Sequence, residues 1–198
     1  MNEAQVIALY SHAAGQGKTT VANHLVREHG FTKVSFAGPL KAMVAMFLRQ
    51  GGIPIRDVAL WMGPRKELQV PGFPEGTTVR KLCRTLGVEW GRKNIADTLW
   101  ISMALRSVNE LVTDRKSVVI DDLRFHNEYH SIMAGGGQVW RIQREDIPTN
   151  VHDGHSEGQL EKEYFDVRLM NRETTANLKA KVSASILIPD AIRRTHGS

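Results

Sequence analysis

Short apolar runs alternate with segments of helical periodicity along most of this chain. The apolar runs predict strands at 5–10, 34–36, 117–121, 138–142 and 165–169. Apolar residues spaced three or four positions apart predict helices at 18–29, 39–50, 55–68, 77–86, 94–112, 126–134 and 173–187. Strands that alternate with helices are joined by right-handed crossovers. The pattern therefore predicts an α/β fold with a five-stranded, mostly parallel sheet and helices on both faces.

A long helical stretch, at approximately 37–112, separates the second and third predicted strands. We interpret it as a helical insertion into a core made by residues 1–36 and 113–198. The polar segment after the fourth strand, at approximately 144–164, is suited to a short mobile lid. Because no internal repeat, low-complexity tract or Ser/Pro-rich linker divides the chain, residues 1–198 are predicted to form one domain.

The composition favours a globular protein. Hydrophobic residues make up 41% of the chain and charged residues 24%, a balance that allows a core and excludes wholesale disorder. No apolar run approaches the roughly 18 residues that span a bilayer. The first residues lack the basic and apolar regions of a secretory signal. Because the single cysteine, Cys83, cannot form an internal disulfide, we expect a cytoplasmic location.

The charge balance points to an anionic partner. The chain has 26 basic and 21 acidic side chains, which gives a net charge of +5. Such an excess suits nucleic acid or nucleotides. No recognition helix, aromatic-and-basic RNA motif or long basic run is present, so we expect no stable nucleic-acid partner.

The sharpest local signal is Gly15-Gln16-Gly17-Lys18-Thr19-Thr20, between the first predicted strand and the first helix. Glycines let backbone N–H groups turn toward anionic oxygens, and the helix N-terminus adds positive partial charge there. Lys18 can bridge the outer phosphates of a bound nucleotide, and the Thr19 hydroxyl can bind Mg²⁺. The predicted phosphate loop consists of Ala14, Gly15, Gln16, Gly17, Lys18, Thr19 and Thr20.

One position departs from the usual loop pattern. Glycine ordinarily stands five residues before the Gly-Lys pair, and His12 occupies that place here. The flanking strand and helix are both present, so the prediction of a phosphate loop is kept. We expect the His12 side chain to point away from the phosphates.

A carboxylate at the end of a second apolar strand would complete a Mg²⁺ site. The run Val118-Val119-Ile120 is followed by Asp121 and Asp122. A carboxylate there can bind Mg²⁺ directly or through water, beside the Thr19 hydroxyl. A helix starts soon afterwards, so a helix cap is the alternative. Asp121 is the preferred ligand.

Three segments are rich in arginine, namely 80–92, 121–128 and 141–144. Phosphoryl transfer depends mainly on positioning and charge neutralisation, so a kinase with a phosphate acceptor needs several arginines. The guanidinium fork matches phosphate oxygens better than the point charge of lysine does. For any single arginine, a surface ion pair stays an equally open interpretation.

These residues resemble the tailed-phage deoxynucleoside monophosphate kinases, which are P-loop kinases of the adenylate-kinase type. The similar elements occur in the family's order: Phe36 to Lys41, residues 80–92, Asp122 to Glu128, Arg141 to Arg144, and His152 to Glu157. With the phosphate loop, they extend to about residue 171. Gly38, Arg84 and Val88 replace the family's usual aspartate, glutamine and threonine. The replacements at Arg84 and Val88 leave open which base is preferred.

The resemblance implies that ATP donates its γ-phosphoryl to a deoxynucleoside monophosphate bound by the helical insertion. Catalysis would fall to Lys18, Arg124, Arg144 and Asp121, with the arginines clamping the transferring phosphoryl. Asn171 falls where related kinases form the adenine loop. The implied acceptor-binding residues, arginines for the phosphate and tryptophans for stacking on the base, are Arg80, Arg84, Glu89, Trp90, Arg92, Trp100 and Asp122.

Other functions stay open at this stage. A small P-loop kinase acting on dephospho-coenzyme A or on a metabolite hydroxyl would need a base near the attacking oxygen, a role open to Asp122. A nucleic-acid-stimulated NTPase would use the positive charge on a polymer. His152 and His155 are interpreted as lid or capping residues rather than as a metal site or hydrolytic machinery. The sequence leaves open whether the protein forms a homodimer. For a phage-encoded chain, the expected location is the cytoplasm of the host.

Overall fold

The computed structural model describes residues 3–144 and 160–187. The chain divides into two compact units. The first, here called the sheet unit, comprises residues 1–35 and 106–198, and the second, the helical unit, comprises residues 36–105. Across the described residues, no helix combines the length and the apolar character that a membrane crossing needs.

A parallel sheet forms the centre of the sheet unit. Its strands are β1 (Val6–Tyr10), β2 (Thr32–Val34), β3 (Val118–Ile120), β4 (Gln138–Gln143) and β5 (Val167–Met170). They pair in the order β2-β3-β1-β4-β5, and every neighbouring pair is parallel. In this register Ile7 lies opposite Val119 of β3 and Gln138 of β4. The predicted five-stranded α/β fold is confirmed.

Seven α-helices and one π-helical segment accompany the sheet in the described residues. They are α1 (Lys18–His29), α2 (Gly38–Gln50), α3 (Ile55–Met62), α4 (Val79–Arg84), the π-helical segment (Thr85–Ile95), α5 (Leu99–Thr113), α6 (His126–Ala134) and α7 (Thr175–Ile186). The connection from β1 through α1 to β2 runs one way along the sheet, and that from β3 through α6 to β4 runs the other way. Right-handed crossovers therefore place α1 and α6 on opposite faces.

Both faces of the central strand β1 are buried. Ile7 and Leu9 belong to an apolar cluster with residues of α1, β4 and α7. Ala8 and Tyr10 point to the opposite face and are equally inaccessible to solvent. Burial on both sides explains why β1 has a continuous apolar sequence instead of an alternating one.

The helical unit has a core of its own. Its buried cluster consists of Val44, Leu48, Ile53, Trp61, Val70 and Val79. Cys83 packs against this cluster, and burial raises the pKa of its thiol although the charges of Lys41, Arg80 and Lys66 oppose that shift. A thiol that keeps its proton is a weak nucleophile, so Cys83 acts as a packing residue.

Two predicted boundaries in the helical unit are wrong. The helix predicted at 55–68 ends at Met62, because Gly63 precedes Pro64 and a residue before proline is disfavoured in the α conformation. The break predicted between 86 and 94 does not occur, since α4 continues directly into the π-helical segment.

Smaller differences occur in the sheet unit. Phe36 lies outside β2, and β5 begins at Val167 rather than at Phe165. The predicted lid falls largely on residues 145–159, which lie outside the described part of the chain together with His152 and His155.

Candidate active site

A tight glycine-containing loop joins β1 to α1. Gly15 and Gly17 have φ values of 78° and 113°, which residues with a Cβ atom rarely adopt. Gly17 has a second constraint, because a Cβ atom there would lie only 2.8 Å from Nδ2 of Asn171. Backbone conformation and close packing thus both require glycine at position 17.

Lys18 starts α1 and folds back toward the end of β1. Its Nζ donates a hydrogen bond to Oγ of Ser11, and that hydroxyl donates to the carbonyl oxygen of Ala13, 2.7 Å away. Ala14, Gly15 and Thr19 are exposed. The outer part of the loop and the first turn of α1 are therefore accessible, at a helix end whose dipole favours an anion.

Gln16 ties the loop to the ends of two other strands. Its side chain is 1% exposed, and its Oε1 accepts a hydrogen bond from the backbone N–H of Arg144, just after β4. Its carbonyl oxygen accepts from Nδ2 of Asn171, 3.0 Å away and just after β5. The structure thus joins three sequence-predicted site residues, Gln16, Arg144 and Asn171, in one hydrogen-bond network.

His12 is buried beside this network. Its Nε2 lies 3.4 Å from Nε2 of Gln16. Its Nδ1 is also buried and has no hydrogen-bond partner among residues 3–144 and 160–187. In those ranges Arg115 is the only non-glycine residue with a positive φ, so the backbone at His12 is one that any residue adopts. Histidine is tolerated here because the loop does not need glycine at this position.

Residues at the end of β2 hold both aspartates that follow β3. Asp121 forms an ion pair with Lys33, and Oδ2 of Asp122 accepts a hydrogen bond of 2.5 Å from Oγ of Ser35. Because β1, β2 and β3 are parallel, their carboxyl ends lie at one edge of the sheet. The Asp121 carboxylate and the Thr19 hydroxyl supply hard oxygen donors at that edge, and such donors fit Mg²⁺.

The cap of α6 comes from Glu128, not from the aspartates. Glu128 is 2% exposed, and its Oε2 accepts hydrogen bonds from the backbone N–H groups of Arg124, at 2.9 Å, and Phe125, at 3.1 Å. The capping alternative for Asp121 and Asp122 is therefore wrong. Glu128 instead fixes the backbone that carries the exposed Arg124, a role that an acidic residue three positions into a predicted helix could have indicated.

Sequence reasoning missed a polar cluster that anchors the end of the predicted lid. We call residues 160–166, which include the last residues of that predicted lid, the post-lid segment. Glu161 accepts a hydrogen bond of 3.2 Å from the Tyr10 hydroxyl and pairs with Arg141 at 2.5 Å. Phe165 stacks on Tyr10 with ring centroids 5.4 Å apart. Burial, together with the Glu161 carboxylate, raises the pKa of Tyr10, so this hydroxyl serves as a donor.

In the helical unit, the π-helical segment wraps around an indole. Trp100 is 2% exposed, and its Nε1 donates a 2.8 Å hydrogen bond to the carbonyl oxygen of Gly87. A Cβ atom at Gly91 would lie 2.6 Å from the same ring. Gly91 thus makes room for the Trp100 ring, and Gly87 accepts its hydrogen bond. The expectation that Trp100 stacks on a substrate base is wrong, because its ring is part of the packed interior.

The remaining acceptor candidates occupy more open positions. Trp90 is 41% exposed, with its ring centroid 6.2 Å from that of Trp100, and Glu89 and Arg84 are exposed as well. Nε of Arg80 lies 2.6 Å from Oε1 of Glu67. Nη1 of Arg92 lies 3.2 Å from the carbonyl oxygen and 3.4 Å from Oδ1 of Asp97.

These residues divide between the two units. The phosphate loop, Asp121, Asp122, Arg124, Arg144 and Asn171 lie in the sheet unit, and the acceptor candidates between residues 80 and 100 lie in the helical unit. It stays a prediction that the residues of the sheet unit and those of the helical unit act on the same pair of nucleotides.

Parallel strands in the order β2-β3-β1-β4-β5, with a glycine-rich loop leading from the central strand into α1, are the architecture of the P-loop kinases. Within that class, residues 68–182 match the family Deoxynucleotide monophosphate kinase, and the chain belongs to this family. It is therefore a nucleotide kinase, and the family predicted from the sequence motifs is confirmed.

A relative occurs in a giant virus. The chain is 29% identical over 184 residues to a protein of Acanthamoeba polyphaga mimivirus that is provisionally named a deoxynucleotide monophosphate kinase. The similarity covers 87% of this chain and 91% of the relative.

Solved structures that are similar to the chain include other small-molecule kinases. A dephospho-CoA kinase from Campylobacter jejuni is 15% identical, with 92% of this chain and 95% of that chain covered and a TM-score of 0.47. An APS kinase of Mycobacterium tuberculosis is 11% identical, with 94% and 99% covered and a TM-score of 0.44.

Proposed function

We propose that this protein transfers the γ-phosphoryl group of ATP to the phosphate of a deoxynucleoside monophosphate, giving a deoxynucleoside diphosphate and ADP. The observation that supports this most is the family match over residues 68–182, which includes arginine-bearing segments of both units. An oxygen of the acceptor phosphate attacks the γ-phosphorus in line, and ADP leaves. The enzyme forms no covalent intermediate.

The sheet unit binds the donor nucleotide. Backbone N–H groups of residues 14–20 surround the ATP phosphates, and Lys18 exchanges its contact with Ser11 for the β- and γ-phosphate oxygens. Arg124 and Arg144 neutralise charge on the transferring phosphoryl group. Asn171 supports the loop through the carbonyl oxygen of Gln16.

Thr19 and Asp121 are the residues that would hold Mg²⁺. When bound, this ion neutralises charge on the β- and γ-phosphate oxygens. Lys33 already pairs with Asp121 and holds that carboxylate in place at the edge of the sheet.

The helical unit binds the acceptor. Arg80, Arg84 and Arg92 bind its phosphate, since each carries a guanidinium fork. The exposed ring of Trp90 offers a stacking surface for the base, and Glu89 offers an acceptor for a base or sugar donor. Asp122 lies in the sheet unit and is assigned to the acceptor as well.

A coupled ADP-release assay across the four deoxynucleoside monophosphates tests this proposal. We expect ADP release well above that with ATP alone for at least one of them, with equimolar deoxynucleoside diphosphate in the same mixture by chromatography. The Lys18→Ala variant, purified by the same procedure, controls for contaminating kinases from the expression host. No turnover with any of the four would contradict the proposal.

Two further additions to the assay distinguish the proposed reaction from the alternative activities. Dephospho-coenzyme A presents a hydroxyl group as acceptor, and duplex or single-stranded DNA tests for stimulated hydrolysis. Transfer to the hydroxyl, or ADP release that requires DNA, without transfer to any monophosphate would replace the proposed reaction with one of those activities.

A further inference from the structure

Two histidines and a glutamate cluster on the surface of the sheet unit, outside the proposed active site. His126 and His130 stand four positions apart on α6, so their side chains share one face of the helix. Glu163 of the post-lid segment lies opposite them. Its Oε1 is 2.8 Å from Nδ1 of His126 and 3.9 Å from Nε2 of His130.

The three side chains present one ligand atom each within a small space. These atoms all lie within 4.8 Å of one another. A Zn²⁺ ion bound at about 2.0–2.1 Å brings tetrahedral ligand atoms to about 3.3 Å from one another. The side chains of His126 and His130 are 52% and 65% exposed, so their rings can rotate to close that difference.

The position of Glu163 is fixed by contacts on both sides of it. The Tyr129 hydroxyl donates a 2.8 Å hydrogen bond to the carbonyl oxygen of Tyr164, and the N–H of Glu163 donates to the carbonyl oxygen of Leu160 at 3.1 Å. Leu160 is fully buried. A ligand whose backbone is already ordered loses little conformational freedom when it binds a metal.

We propose that His126, His130 and Glu163 form a binding site for a divalent transition metal of the Zn²⁺ class. Two imidazole nitrogens and one carboxylate oxygen suit Zn²⁺, Co²⁺ or Ni²⁺ rather than Mg²⁺, which prefers oxygen ligands alone. The remaining coordination positions are open to water. This site is independent of the proposed reaction, since it uses none of the residues assigned to ATP, Mg²⁺ or the acceptor.

The bound ion would link α6 to the post-lid segment. Both histidines belong to α6, and Glu163 belongs to the post-lid segment. The metal therefore adds a second link between them, beside the hydrogen bond between Tyr129 and Tyr164. Because the apo protein and the unfolded chain lack that crosslink, metal binding stabilises the folded state.

Titration calorimetry with Zn²⁺ tests the site, on protein that carries no polyhistidine tag and has been treated with a chelator. We expect one Zn²⁺ bound per chain in excess Mg²⁺, a rise in melting temperature, and visible absorption bands when Co²⁺ is used instead. The variants His130→Gln and Glu163→Gln should each weaken Zn²⁺ binding by at least about tenfold and lose the melting shift.

Matched histidine variants serve as controls. His24 and His29 also lie close together, with ring centroids 5.2 Å apart, but they contact Ser183 and no carboxylate completes that pair within the described residues. The double variants His24→Gln/His29→Gln and His152→Gln/His155→Gln should keep the wild-type affinity for Zn²⁺. The proposal is overturned if Zn²⁺ at millimolar concentration does not bind, if both His130→Gln and Glu163→Gln bind it as well as the wild type, or if a control variant abolishes binding.

Discussion

The phosphate loop and the π-helical segment both depend on glycine, but for different physical reasons. In the loop, Gly15 and Gly17 have positive φ values, so the backbone itself demands glycine. In the π-helical segment, Gly91 has no such conformation, and the Trp100 ring occupies the space that a side chain would take. A local backbone requirement can be recognised from a short motif. A packing requirement cannot be recognised in this way, because it depends on a partner elsewhere in the chain.

The largest effect is expected from the loop's only lysine. Replacing Lys18 by alanine removes the charge that is proposed to bridge the outer phosphates, and turnover should fall on the order of 10²–10³-fold. The melting temperature should stay near that of the wild type, because the side chain contacts Ser11 at a partly exposed position. Lys116→Ala, which removes an exposed ion pair with Asp114, is the matched control. Equal losses of stability and activity would mark Lys18 as structural.

Gly17→Ala tests whether the loop combines conformational and steric demands. Gly30 provides the control, since its φ is 70° but a Cβ atom there would meet nothing within 4 Å. Gly30→Ala should cost about 1–2 kcal/mol, the strain of a left-handed residue. Gly17→Ala adds the clash with Asn171 and should cost roughly 2–4 kcal/mol. Urea denaturation measures both, and equal costs would show that packing against Asn171 contributes nothing.

Gly91→Ala tests the purely steric case. Alanine is the better helix former by about 1 kcal/mol, yet the clash with Trp100 should make the substitution destabilising by about 1–3 kcal/mol. The control Gly87→Ala places a Cβ atom at a looser 3.3 Å from Cδ2 of Leu40, so it should cost less. A stabilising Gly91→Ala would remove the packing explanation for this segment.

Much of the sheet unit could be predicted from the sequence because its signals are local. The apolar run of β1, the loop glycines and the cap at Gly30 each lie within a few residues of the element that they define. The π-helical segment could not be predicted, since the absence of a side chain at Gly91 is explained only by the Trp100 ring that packs against it. The Glu161 contacts with Tyr10 and Arg141 were missed because they join residues far apart in the chain.

Replacing Glu128, the residue that caps α6, should have the smallest effect among these substitutions. Glu128→Gln keeps an oxygen acceptor for the N–H groups of Arg124 and Phe125 but removes its charge, which should cost about 1 kcal/mol of stability. If the backbone at Arg124 must be held for transfer, turnover should fall as well, while the KM for ATP stays unchanged. Steady-state kinetics beside urea denaturation separates the two, and unchanged stability would show that this cap is dispensable.

In the proposed mechanism the sheet unit binds ATP, and the helical unit supplies the acceptor-binding residues other than Asp122. The dissociation constants of a non-hydrolysable ATP analogue and of the preferred deoxynucleoside monophosphate, measured by calorimetry in Lys18→Ala and Arg84→Ala, test it most directly. Lys18→Ala should weaken only the ATP analogue, and Arg84→Ala only the monophosphate, each by at least about tenfold for a lost charged hydrogen bond. Equal weakening of both ligands by either substitution, or monophosphate binding that is insensitive to Arg84→Ala, would contradict the claim.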